Sequence, residues 1–149
     1  MDTTGKIRIK KVHTLLDLVL SAVVLAAGFG VYFVLPGWGI LFCFIGVLMF
    51  VFYKRANKRE GDSTLLKETS LDIDSKYLDP LKAFLTDGAE LPAFELSEDN
   101  DHLYLKTFHN ADAKVAYAQL FDVANNRFDA VTDIVELRGP KAEQLISKL

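Results

Sequence analysis

Two long apolar stretches, residues 15–35 and 40–53, meet at Pro36-Gly37-Trp38-Gly39 and carry clusters of Lys and Arg at their outer ends. No other feature restricts the fold as strongly. As an α-helix the first stretch, about 21 residues, rises roughly 30 Å, the thickness of a hydrocarbon core; the second reaches about 16 residues once Trp38 and Gly39 are counted. Between positions 12 and 53 there is one acid, Asp17, and no Lys or Arg. Helices apolar on every face have no side to give to water, so the pattern predicts a transmembrane hairpin with spans over about 14–35 and 38–53.

Orientation follows from the flanks. Lys6, Arg8, Lys10 and Lys11 precede the first stretch, Lys54, Arg55, Lys58 and Arg59 follow the second, and the turn between them is uncharged. The excess of basic residues at both outer ends predicts a multi-pass protein of the plasma (inner) membrane with both termini cytoplasmic. A signal peptide is the competing reading of an N-terminal apolar run. The length of this one, the second run directly after it and the lack of a small-x-small cleavage site argue against removal. Asp17 falls in the first turn of its helix, where a carboxylate is favoured by the helix dipole and can reach head-group water or Lys10 and Lys11, so a buried ion relay is not expected of it.

The chain then divides into a basic N-terminus (1–11), the hairpin (12–53), a basic collar and linker (54–63) and a soluble domain (64–149). From residue 60 onward, nine Lys and Arg stand against eighteen Asp and Glu, whereas the whole chain carries only −3. Such an acidic domain repels phosphate backbones, which argues against nucleic acid as a partner. The lone cysteine, Cys43, lies within the second apolar stretch, so neither an internal disulfide nor a thiolate metal site is open to a single chain.

Within the domain, alternation of apolar and polar residues predicts strands over 65–73, 91–96, 103–108, 115–123 and 128–137, separated by short polar connections that favour an antiparallel meander of four to five strands. Asp79-Pro80 opens a short helix that Gly88 closes, and Gly139-Pro140 opens a final one with Ala142, Leu145, Ile146 and Leu149 on one side. The expected fold class is therefore α+β: a two-helix hairpin followed by a small sheet with two short helices. Neither face of the strand over 115–123 is plainly a water face, so both are expected to be covered, by curling, by a ligand or by a partner.

Two sets of residues stand out as contact candidates. Ala22, Ala26 and Gly30 recur every four positions and predict a narrow helix-packing stripe. Leu103, Tyr104, Tyr117 and Phe121 are the expected interaction surface of the sheet. Candidates for chemistry are thin. His102 and His109, seven apart, point to opposite faces of one strand and cannot close a metal site together. Glu98, Asp99 and Asp101, like Asp72, Asp74 and Asp79, lack the spacing and glycine of a calcium loop. No phosphate loop, nucleophile elbow or paired helical histidines occur. The sequence thus leads to the expectation of a membrane-anchored interaction or scaffolding module, with no catalytic residues, metal or cofactor. Its expected partners are the bilayer and either its own copies or another membrane protein. A small-ligand or lipid-sensing sheet and an accessory subunit of a transporter are the alternatives.

Overall fold

The computed structural model describes residues 6–149, and their contacts separate two units: Lys10–Lys58, and residues 6–9 together with Arg59–Leu149. The fold is α+β, with four α-helices and seven strands among the described residues.

In the first unit, helices α1 (Leu15–Tyr32) and α2 (Pro36–Phe52) lie against each other; β1 (Ile9–Val12) pairs with β2 (Ala56–Arg59), all but the end residues Ile9 and Arg59 falling in this unit. Helix α1 starts with a capping box. Thr14 Oγ1 accepts from the Asp17 N–H at 3.2 Å, and Asp17 Oδ2 accepts from the Thr14 N–H at 2.9 Å. The same fully buried carboxylate meets Arg55 Nε at 3.5 Å, so the acid expected to reach head-group water or Lys10 and Lys11 instead ties the start of α1 to the chain leaving α2. His13 strengthens that junction, its ring stacked on Phe50 and its Nδ1 3.1 Å from the Tyr53 carbonyl oxygen.

The turn falls earlier than the sequence suggested. It occupies residues 33–35, and Pro36 to Gly39 form the first turn of α2, because proline suits the first helical position, where its missing N–H costs nothing. The seam also departs from the expected stripe. Ala22, Ala26 and Gly30 are exposed, and a Cβ at Gly30 would meet nothing. The helices instead approach where Gly28 faces Cys43, Gly39 faces Tyr32 and Gly46 faces Leu25, a contact to which α2 supplies two of the three glycines. Helix α1 is long and apolar enough to cross a membrane, and only 17% of that span is buried; α2, at 17 residues, is a shorter apolar helix. The collar is not a plain linker either: Lys58 and Arg59 belong to β2, whose Ala56 and Asn57 are buried, and Lys10 and Lys11 before α1 belong to β1.

In the second unit, β3 (Leu65–Ile73), β4 (His102–Asn110) and β5 (Val115–Ala124) run antiparallel, and both β6 (Arg127–Ala130) and β7 (Val135–Arg138) pair with β5. The expected strand over 128–137 is thus two strands. Leu120 is the reason: its carbonyl oxygen accepts from the N–H groups of both Val131 and Thr132, and its own N–H donates to Thr132 Oγ1, so the chain bulges there and resumes pairing two residues out of register. The expected strand over 91–96 makes a single bridge, Leu96 with Ile73, and otherwise runs as irregular chain that lays Leu91 and Phe94 on the core. Pro92 has no N–H to lend a ladder.

Side-chain parity sorts the sheet into two faces. One packs Ile73, Leu103, Leu105, Ala118 and Leu120 against Leu81, Phe84 and Leu85 of α3 (Leu78–Thr86) and Ala142 and Leu145 of α4 (Pro140–Ile146). Helix α3 begins at Leu78 rather than at Pro80, because a 3₁₀ turn over Ser75–Tyr77, capped by Asp74, feeds straight into it. The other face carries a smaller core of Leu66, Phe108, Val115 and Tyr117, closed by Ile7, Ile9 and Ile134. Residues 6–9 are therefore part of the same unit as the chain from Arg59 onward.

Candidate functional site

The second face of the sheet is covered along only half its length, and the uncovered half holds the candidate site. Register places Tyr104 opposite Phe121, and Val123 opposite Phe128. Side chains in directly opposed positions share a face, so the three aromatics gather beside one another. The Tyr104 ring lies 6.1 Å from that of Phe121 and 5.4 Å, edge to face, from that of Phe128. Tyr104 and Phe121 are half-buried and Phe128 is 58% exposed.

Of the four surface residues expected from sequence, two therefore sit here and two do not. Leu103 is fully buried under the helices, because adjacent residues of a strand point to opposite faces and Tyr104 takes the open one. Tyr117 is on the right face but at its covered end, 1% exposed. Its hydroxyl is 3.4 Å from Arg59 Nη1, which also pairs with Glu136 Oε2 at 2.9 Å. The Tyr117 hydroxyl first, then the Glu136 carboxylate, hold the Arg59 guanidinium above its ordinary pKa. Phe128 was not singled out from sequence. The signal was present: Asn125-Asn126 is a two-residue turn with both φ angles positive, 51° and 61°, which fixes Phe128 opposite Val123.

Two recesses adjoin the cluster. One, about 460 Å³, is lined by Lys6, Ile7, Arg8, Gln119, Asp133 and Ile134, a mixture of two cations, one acid and apolar surface. The other, about 320 Å³, is lined by Asp72, Glu98, Asp99, His102, Val123 and Phe128 among others. His102 is occupied in place: its Nδ1 lies 2.8 Å from the Asp99 carbonyl oxygen and its Nε2 3.3 Å from Asp72 Oδ1. His109, on the opposite face, lies 3.1 Å from Thr69 Oγ1 through Nε2. Among the described residues no three His, Cys, Asp or Glu side chains converge to hold a metal ion.

Burial, with the charge of Lys67 adding to it, pushes the His109 imidazole below its ordinary 6.5. The unfolded chain then takes up this proton at a higher pH than the folded one, so the contribution of His109 to stability is complete above 6.5 and is lost as the pH falls through its lowered value. Thermal melts of the wild type from pH 7.5 to about 5 should show this falling limb, and His109→Asn should flatten it.

No protein-family model, curated protein or solved structure matches the chain.

Proposed function

We infer that this protein is a membrane-anchored interaction module: a helical hairpin in the inner membrane that holds a small acidic domain at the cytoplasmic face, where the domain binds other protein surfaces. One observation carries the reading. Ile7 and Ile9, before α1, share a core with Leu66, Phe108 and Tyr117, after α2, so the chain leaves and re-enters one domain around a pair of helices whose large apolar side chains stay exposed. Exposure of that extent suits lipid and not water. The basic residues at both ends of the pair agree with it. Binding through the domain is supported by the exposed aromatics, and tethering makes weak contacts effective by raising the local concentration.

The test is topological. In a Cys43→Ser background, Gly37→Cys is expected to react with a membrane-impermeant maleimide from outside intact cells, and Ser147→Cys only after permeabilisation. Labelling of both positions from the same side of the membrane overturns the anchor. A second reading, a small-ligand domain, is favoured by the recess of about 460 Å³, whose two cations and one acid would suit a ligand bearing both charges. Native mass spectrometry of the detergent-extracted protein, showing a retained small molecule that Arg8→Ala releases, would favour it over the first.

A further inference from the structure

We propose that the β6 edge is a self-association surface, through which two copies of this chain pair antiparallel about a two-fold axis at Phe128. The inference rests on the interaction-module reading and gives that module its partner, a second copy.

Strand β6 is the last in its sheet order, and all four of its residues are exposed. Its register fixes which main-chain groups are open. Across a two-residue turn the flanking pair, Ala124 and Arg127, exchanges hydrogen bonds, and bonding then alternates along the ladder. The Val131 N–H donating to the Leu120 carbonyl oxygen at 2.9 Å keeps this alternation. Arg127 and Asp129 therefore bond inward to β5, while the N–H and C=O of Phe128 and Ala130 face away from it. An edge with exposed donors and acceptors is a template for another strand.

Side-chain charge then selects the strand. Arg127 and Asp129 flank Phe128, and among the described residues neither makes an ion pair with another side chain. Asp122 lies directly opposite Asp129 on β5, setting two carboxylates side by side. Only two antiparallel self-pairings bring the open groups of Phe128 into bonding positions. A pairing centred on Asp129 would oppose acid to acid, beside two further acids at Asp122 of each copy. A pairing centred on Phe128 sets Arg127 of each copy against Asp129 of the other, twice over by symmetry, and lets each Phe128 N–H donate to the other's Phe128 carbonyl oxygen. It also lays the two exposed Phe128 rings side by side and joins the two aromatic clusters into one. The contact is short, and the membrane tether is what makes so small a surface sufficient.

The test uses the full chain in phosphatidylcholine vesicles. Arg127→Asp and Asp129→Arg should each weaken dimerisation, read by energy transfer between labelled copies, by roughly tenfold or more, and the double variant, which restores opposite charges, should recover it. With Cys43→Ser as background, Phe128→Cys should form a disulfide-linked dimer on oxidation, since opposed Cα atoms about 5.5 Å apart lie within disulfide reach. Arg127→Cys should crosslink to Asp129→Cys and not to itself. A dimer that persists through both charge reversals overturns the β6 edge while leaving the interaction module standing, and so does crosslinking of Phe128→Cys in native membranes to a different protein. A chain that stays monomeric in vesicles and crosslinks to nothing in its native membrane overturns both.

Discussion

Alanine at Gly39 or Gly28 is expected to pry α1 and α2 apart, whereas alanine at Gly30 or Gly37 leaves them paired. The reason is what a Cβ would strike. At Gly39 it would overlap the backbone of Tyr32, and at Gly28 it would stand 2.7 Å from the Cys43 backbone nitrogen and 2.9 Å from its Sγ. Backbone atoms cannot rotate aside, so the helices themselves must shift, at about 1–3 kcal/mol or more each. At Gly46 the nearest obstacle, 2.7 Å away, is Leu25 Cγ, the branch point of a side chain that can change rotamer, so Gly46→Ala should fall between the two groups. Gly30 and Gly37 have nothing near, and alanine there should gain about 0.5–1 kcal/mol in helix propensity. Thermal unfolding of the full-length protein in mild detergent, followed by helical circular dichroism, measures the order. Equal melting temperatures for Gly39→Ala and Gly30→Ala would mean that the helices do not pack as described.

That series bears on how much of the molecule its sequence discloses. The period of four in Ala22, Ala26 and Gly30 finds a face of small residues, but small residues line a seam only if the partner helix is turned toward them. The rotation of α1 is set elsewhere, by the buried Asp17 carboxylate and Arg55 and by the glycines of α2. Long-range contacts of this kind leave no local period. The domain divides in the same way. Strands β3, β4 and β5 are legible because alternation and the Asn125-Asn126 turn are local signals, and α4 is legible from Gly139-Pro140. The bulge at Thr132 is not, because it depends on Leu120 bonding twice across the sheet. Strands β1 and β2 were hidden by their own lysines and arginines, which signal a membrane flank more strongly than they signal pairing. Of the candidate site, Tyr104 and Phe121 were visible in the strand pattern, while Phe128 needed the register across the turn.

Leu103→Asp is expected to unfold the domain, while Tyr104→Ser, one position along the same strand, leaves it folded. Leu103 is fully buried, in the core that Leu81, Phe84 and Leu145 complete from the two helices. Aspartate there forfeits the burial of an isobutyl group and sets a carboxylate among alkyl and aromatic side chains that offer it no hydrogen bond. That costs about 4 kcal/mol or more, a large part of the stability of a domain this size. Tyr104 is half-buried on the open face, and its ring contacts to Phe121 and Phe128 are worth about 1–2 kcal/mol together. Serine at 104 should therefore lower the melting temperature modestly, leave the domain's unfolding transition cooperative, and weaken association in vesicles by thinning the aromatic cluster behind Phe128. The pair separates the two faces of one strand. If Leu103→Asp melts like the wild type, the helices do not cover that face. If Tyr104→Ser unfolds the domain, the aromatic cluster belongs to the core and is not available to a partner.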